Sequence, residues 1–67
     1  MSPIGLRVRE ERHKRGWSQR ELARRANVRQ ATVSQLERGV RRLDLVILEK
    51  VARALKVSPE KLLTHTR

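Results

Sequence analysis

Apolar residues along the chain recur every three or four positions, which is the spacing of an α-helix. Ile4 and Val8 begin the first such stripe, and no segment alternates with the period of two that indicates a strand. The pattern predicts an all-α fold, a compact five-helix domain over residues 1–67. The helices are expected at about residues 4–14, 18–26, 30–37, 45–55 and 59–63.

Short polar residues mark the predicted helix ends. Ser18 followed by Glu21 forms an S-x-x-E capping box at the start of the second helix. Asn27 tolerates the left-handed conformation that stops a helix. Asp44 and Ser58 are suited to cap the fourth and fifth helices. The second and third helices are therefore expected to be short and joined by a tight turn.

The fourth helix is expected to turn a stripe of apolar residues toward the core, and the fifth to pack two leucines inward. Two residues that lie beside the core stripe, Val46 and Ile47, are candidates for a dimer contact, although single exposed apolar residues are normal. Trp17 is expected to pack on the core, and the alternative is stacking on a nucleic-acid base. The predicted inward-facing residues of the last two helices are Leu45, Leu48, Val51, Ala52, Leu55, Leu62 and Leu63.

Two charged residues lie on apolar stripes. Arg12 continues the stripe of Ile4 and Val8, and Glu37 follows Val33 by four positions. A charge that is buried without a partner is costly. The pattern therefore predicts that Arg12 and Glu37 form an ion pair that ties the first helix to the end of the third.

Charge is the strongest signal in the composition. The chain of 67 residues has 17 basic and 7 acidic side chains, a formal net charge of +10. Residues 1–42 hold 12 basic and 4 acidic side chains, whereas residues 43–67 hold 5 and 3. This asymmetry favours a polyanion as the partner. The alternative is an arginine-rich composition with no partner.

Several classes of function find no support in the sequence. There is no cysteine, and the two histidines, His13 and His65, are far apart, so we expect no metal site. No nucleophile–base pair or glycine-rich phosphate loop is present, so we expect no catalytic residues and no cofactor. No apolar run approaches the roughly 20 residues that span a membrane, and no secretory signal is recognised. A cytoplasmic protein is expected.

The stretch from Trp17 to Gly39 resembles the helix-turn-helix of the lambda-repressor and Cro-like (XRE-type) family of DNA-binding domains, and the resemblance extends from Ile4 to Leu63. Two positions depart from the family pattern, because Asn27 replaces the usual turn glycine and Arg29 replaces the usual capping serine or threonine. The matching positions are Gln19, Ala23, Val28, Val33 and the L-E-R-G ending from Leu36 to Gly39.

The resemblance implies that the third helix lies in the major groove of double-stranded DNA. Gln30, Ala31, Ser34 and Gln35 match positions that reach base edges. A glutamine amide both donates and accepts, which suits adenine, whereas Ala31 offers apolar contact only. The alternative for these four residues is a merely solvated polar face.

Contacts with DNA phosphates are expected beside the third helix. Gln19 lies at a helix N-terminus, where a backbone amide can meet a phosphate, and its side chain could also brace Gln30. Arg41 or Arg42 could alternatively enter the minor groove. Arg20, Arg24 and Arg25 are less certain candidates. The predicted phosphate contacts are Gln19, Arg29, Arg38, Arg41 and Arg42.

The sequence thus favours a repressor-like transcriptional regulator that binds DNA as a homodimer and associates with the nucleoid. The alternative is an antitoxin-like module whose main partner is another protein and whose helix-turn-helix binds DNA secondarily. RNA binding is less favoured, because no aromatic stacking platform exists.

Overall fold

The computed structural model describes residues 3–40 and 44–63, and these residues form five α-helices. No strand occurs in these two ranges. Each observed bound lies within one residue of the expected one. The helices are α1 (Pro3–Lys14), α2 (Gln19–Ala26), α3 (Gln30–Arg38), α4 (Leu45–Leu55) and α5 (Pro59–Leu63).

Helix α2 begins and ends as its polar residues predict, with one difference. Ser18 Oγ accepts a hydrogen bond from the Glu21 amide at 3.0 Å. The Glu21 carboxylate does not return to the Ser18 amide but pairs with Arg24 and Arg25. Asn27 ends the helix in the left-handed region, with φ 58°. One half of the capping box is therefore formed, and the other half is replaced by ion pairs along the helix.

The later helices are capped less uniformly. Asp44 accepts hydrogen bonds from the amides of Val46 and Ile47, as expected of an N-cap. Arg29 makes no side-chain hydrogen bond at the start of α3. Helix α4 ends at Lys56, which takes φ 60° without being glycine or asparagine. No residue type in this segment predicts a left-handed conformation at Lys56.

The core lies between the helices and is built of aliphatic side chains. Helix α3 packs against α1 and α2, α2 packs against α4, and α5 packs between α1 and α4. The buried apolar residues are Val8, Leu22, Ala23, Ala26, Val33, Leu36, Leu48, Val51, Ala52, Leu55 and Leu62.

Three predicted core or surface positions are wrong. Leu45 is 64% exposed, and Leu63 is 37% exposed. Ile47, expected on the surface, is partly buried and packs against the core. Leu63 follows the fully buried Leu62 by about 100° around the helix, so both cannot face the same neighbour. Leu45 and Ile47 lie on opposite flanks of the α4 stripe, and neighbouring helices cover the flank with Ile47.

Trp17 lies at the edge of the core. Its side chain is partly buried and packs against the core cluster. The Arg25 guanidinium lies over the ring, 4.2 Å from its centroid. This packing supports the core interpretation of Trp17 and leaves the ring poorly placed to stack on a base.

A buried ion pair joins α1 to the end of α3. Arg12 Nε donates to Glu37 Oε2 at 2.7 Å, and Arg12 Nη2 donates to Glu37 Oε1 at 3.0 Å. Arg12 Nη1 also donates to the Trp17 carbonyl oxygen at 2.7 Å. The guanidinium thus binds both a carboxylate and the backbone that leads into α2, so its burial is compensated.

Gly5 allows α1 to approach α3 closely, a contact that the sequence did not indicate. A Cβ atom at this position would lie 2.6 Å from the Leu36 carbonyl oxygen and even closer to that of Glu37. Real Cβ atoms essentially never come so near a backbone oxygen, and backbone cannot swing aside as a side chain can. The absence of a side chain at Gly5 therefore sets the distance between these two helices.

We expect Gly5→Ala to lower the free energy of unfolding by about 1–3 kcal/mol, since the helices must separate. This cost exceeds the roughly 0.5–1 kcal/mol that alanine gains over glycine within a helix. Urea unfolding followed by circular dichroism measures it. Leu6→Ala is the matched control, because Leu6 is exposed on the same helix and should change stability by about 0.5 kcal/mol or less. A Gly5→Ala protein as stable as the wild type would contradict the close approach.

We expect Arg12→Ala to destabilise the protein by roughly 3–5 kcal/mol, because it leaves Glu37 buried without its cation. Lys14→Ala is the control: Lys14 pairs with Glu11, but its side chain is 65% exposed, so the loss should be about 0–1 kcal/mol. The same urea titration compares the two. If both substitutions lowered the free energy of unfolding equally, the buried Arg12–Glu37 pair would contribute no more to stability than an exposed pair.

Candidate nucleic-acid interface

Helix α3 has an apolar inner face and a polar outer face. Val33 and Leu36 are buried, and they fix the helix against α1 and α2. On the other side Gln30 and Ala31 are exposed, whereas Ser34 and Gln35 are partly exposed. All four predicted base-reading residues are therefore accessible from one side of the domain.

The outer face of α3 carries no negative charge. Glu37 is the single acidic residue in the helix, and it is 1% exposed. Its carboxylate is held by Arg12 and points away from solvent. A surface of amide, hydroxyl and methyl groups without carboxylates can approach a polyanion without repulsion.

The Gln19 side chain extends the buried ion pair to the N-terminus of α2. Its Nε2 donates to Glu37 Oε1 at 3.1 Å. The notion that Gln19 braces Gln30 does not match this geometry, because its amide is directed at Glu37. The same carboxylate thus binds one side chain from α1 and one from α2, and it fixes the start of α2 relative to α3.

These contacts govern the ionisation of Glu37. Burial raises the pKa of the Glu37 carboxyl, but hydrogen bonds from Arg12 and Gln19 outweigh it, so the pKa lies below its ordinary value. A carboxyl whose pKa is lowered by folding stabilises the fold at neutral pH, and this contribution is lost as pH falls through the folded-state pKa. The network is therefore charged and intact at neutral pH.

The predicted phosphate contacts are placed in part. Arg29 and Arg38 are exposed at the two ends of α3. Arg41 and Arg42 lie outside the described residues. Among the less certain candidates, Arg20 is exposed, whereas Arg24 and Arg25 are engaged by Glu21. Of the predicted phosphate contacts on arginine, the structure thus describes Arg29 and Arg38, which lie next to the outer face of α3.

Glu11 is a buried acid that sequence reasoning missed. Its carboxylate accepts from Arg15 Nη1 at 2.9 Å and from Lys14 Nζ at 3.2 Å, and Lys61 Nζ of α5 lies 3.7 Å away. Arg15 also donates to the Leu55 carbonyl oxygen. The i+3 and i+4 spacing of the two α1 cations was a usable signal. Glu11 fastens α1 to α4 and α5 and does not belong to the candidate interface.

No candidate metal-binding group and no candidate membrane-spanning helix occurs in the described part of the chain. Residues 3–40 and 44–63 contain no group of three or more histidine, cysteine or acidic side chains that could hold a metal ion. None of the helices in these ranges is long and apolar enough to cross a membrane.

Comparison with known proteins gives consistent matches. The helix-turn-helix family model matches residues 8–62. An HTH-type transcriptional regulator of Mycobacterium tuberculosis is 41% identical over 58 residues, which cover 87% of this chain and 41% of that protein. The chain therefore spans about two fifths of the length of that relative.

Solved structures share the fold over most of the chain. The restriction-modification controller protein C.AhdI from Aeromonas hydrophila superposes with a TM-score of 0.86 and 38% identity, covering 90% of this chain and 91% of that one. The N-terminal DNA-binding domain of SinR from Bacillus subtilis superposes with a TM-score of 0.88 and 35% sequence identity. The match covers 96% of this chain and 94% of the SinR chain. With the five helices and the turn at Asn27, these matches confirm the resemblance. The chain belongs to the XRE-type helix-turn-helix family.

Proposed function

We propose that this protein binds double-stranded DNA sequence-specifically through α3 and regulates transcription. The observation that carries the proposal is the outer face of α3, which is polar, accessible and free of carboxylates. An α-helix fits the major groove, where base edges present distinguishable donor and acceptor patterns. The protein would act by occupying DNA in the cytoplasm and not as an enzyme.

The electrostatics of the chain support this function. A net charge of +10, concentrated in residues 1–42, attracts the phosphate backbone. The relatives point the same way, since the SinR domain is described as DNA-binding and C.AhdI as a restriction-modification controller. Charge supplies attraction to any DNA, and the side chains of α3 would supply the sequence preference.

Gln30 and Gln35 are the proposed base readers with the greatest reach. They are five residues apart, which is roughly 140° around the helix after one full turn. They therefore do not lie on one stripe, and each would contact a different base pair. Ala31 and Ser34 lie between them, and they would contribute a methyl contact and a hydroxyl.

The proposed contacts with the DNA backbone lie on both sides of α3. Gln19 would present the α2 N-terminus to a phosphate, with its side chain fixed by Glu37. Arg29 and Arg38 would bind phosphates at the two ends of α3. Arg41 and Arg42 follow in sequence, and their proposed phosphate contacts rest on the sequence.

A two-fold dimer would place two such helices on one face of DNA. The fold changes which residues can form it, because Ile47 packs inward while Leu45 and Val46 are 64% and 60% exposed. We therefore assign the dimer contact to Leu45 and Val46 at the start of α4, with Ile47 supporting it from beneath. Half-sites would then lie about 34 Å apart, one turn of DNA.

The exposed apolar residues favour a second candidate function. Val40, Leu45 and Val46 are all exposed, and they flank the segment 41–43. Such a surface could bind a different protein, as in an antitoxin-like module. A measurement of the oligomeric state would separate the dimeric regulator from the antitoxin-like module. A homodimer would bury these apolar residues without any other protein.

We expect Gln30→Ala to weaken binding to the preferred operator by roughly 1–3 kcal/mol and to change binding to random DNA little, because a bidentate base contact is lost. Gln35→Ala should relax the preference at a different position of the half-site. Binding isotherms on both DNAs at one salt concentration measure this, after the operator has been recovered by selection from genomic fragments.

Arg38→Ala is the matched control for these isotherms. It removes an exposed side chain that is assigned to a phosphate, so it should weaken both DNAs by a similar factor. If Gln30→Ala and Gln35→Ala behave like this control, the glutamines of α3 only position the protein and the proposed sequence reading fails.

We expect the protein to dimerise in sedimentation experiments at high concentration and Val46→Glu to weaken the dimer, because two carboxylates would face each other across the two-fold axis. Glu at an exposed position should leave the monomer folded. Leu6→Glu is the control, since Leu6 is exposed on α1, away from the proposed contact. A protein that stays monomeric at all concentrations, both free and on DNA, would contradict the proposed dimer.

A further inference from the structure

A basic pocket lies where α2 and α4 end, apart from α3. It has a volume of about 470 Å³, within the range of small-molecule sites. Small or neutral residues, Ala26, Asn27 and Ala54, complete its lining, and no acidic side chain takes part. Five cationic residues line it, namely Arg24, Arg25, Lys50, Arg53 and Lys56.

Two of these cations are held in place by their own neighbours. Arg24 Nη2 and Arg25 Nε each donate to Glu21 Oε2 at 2.6 Å. The Arg25 guanidinium is also fixed over the Trp17 ring. The Trp17 contact restricts the Arg25 side chain in the free protein, so less conformational entropy is lost at Arg25 when a ligand binds.

The other three cations lack a counter-charge in the described part of the chain. Within residues 3–40 and 44–63, no carboxylate lies within ion-pair distance of Lys50, Arg53 or Lys56. Cations near the C-terminus of a helix compensate its dipole, which explains part of this arrangement.

The dipoles account for only a fraction of the charge. The C-termini of α2 and α4 carry about half a negative charge each, roughly one in total. Glu21 supplies one more negative charge to set against the five cations. About three positive charges remain in one concave surface, and such a surface concentrates anions.

The pocket is separated from the proposed DNA-binding face. Gln19 begins α2 and Ala26 ends it, so about 10 Å of helix lies between the two ends at roughly 1.5 Å per residue. None of the pocket residues belongs to α3. An anion in the pocket would not occupy the position of the DNA that we propose for α3.

We propose that this pocket binds a small ligand with two or three linked phosphates. One phosphate group carries roughly 1.5 to 2 negative charges at neutral pH, so two linked groups match the residual charge. Arginine forks bind phosphate oxygens bidentately, and lysines add point charges. No aromatic side chain lines the pocket, so recognition rests on the phosphates and not on a base.

The test titrates inorganic triphosphate into ¹⁵N-labelled protein at constant ionic strength. We expect saturable amide shifts at the pocket residues, above all at Lys50 and Arg53, and small shifts in α3. Sulfate at the same ionic strength is the control ion, and it should bind more weakly, since it presents one anionic centre. Shifts spread evenly over all basic segments, or none at the pocket, would overturn the proposal.

Charge-matched variants separate a site from general attraction. Lys50→Gln and Arg53→Gln should each weaken triphosphate binding roughly tenfold, because each loses a charge-assisted contact. Arg7→Gln removes the same charge from α1, outside the pocket, and should change affinity less than about twofold. Equal losses in all three proteins would show that net charge alone attracts triphosphate, and the proposal would fail.

Duplex DNA provides the final arm of the experiment. We expect duplex DNA to leave bound triphosphate in place, since the two sites lie on different parts of the domain. Displacement of triphosphate together with shifts at Lys50 and Arg53 would make the pocket part of the DNA surface and would overturn the proposal. This outcome is distinct from failure of the proposed sequence reading, which shows only in the α3 variants.

Discussion

The geometry of the domain depends on one buried carboxylate. Glu37 accepts from Arg12 of α1 and from Gln19 of α2 while it belongs to α3. Three helices therefore meet at a single charged group, with bond lengths of 2.7–3.1 Å. An apolar contact would tolerate sliding of the helices, whereas these directional bonds set their relative positions. The chain has a single aromatic residue, so the core lacks a large aromatic cluster. The relative positions of the helices therefore depend strongly on this hydrogen-bond network.

Sequence periodicity predicted the helices and most of the core, because both depend on local spacing. Val33 and Leu36 in α3 and the stripe from Leu48 to Leu55 in α4 followed from the period of 3.6 residues. Periodicity identifies an apolar stripe but not which of its flanks a neighbouring helix covers. For this reason Leu45 was expected in the core and Ile47 on the surface, whereas the structure shows the reverse. The close approach at Gly5 depends on tertiary packing, which local patterns do not encode. The left-handed Lys56 lacks the glycine or asparagine that usually marks such a helix end.

The sequence predicts which residues of α3 are accessible to solvent, but not every side-chain hydrogen bond near them. The residues that face outward from α3 could be read from the sequence because Val33 and Leu36 fix the opposite face. The partner of Gln19 could not, since Glu37 is 18 positions away and lies in a different helix. The pairing of Glu11 with Lys61 likewise joins residues 50 positions apart. The Arg12–Glu37 pair, 25 positions apart, could be predicted because both charges lie on apolar stripes. Gln19, Glu11 and Lys61 offer no such mark, and their contacts follow from the packing of the helices.

The placement of Trp17 has a practical consequence for spectroscopy. It is the single aromatic residue of the chain, since no tyrosine or phenylalanine occurs. Its backbone carbonyl accepts from Arg12, and its ring lies beneath Arg25, a lining residue of the basic pocket. All near-ultraviolet fluorescence of the protein therefore comes from one indole that adjoins both the buried ion pair and the pocket. Emission from the unlabelled protein is a local probe of this corner of the fold, free of background from any other fluorophore.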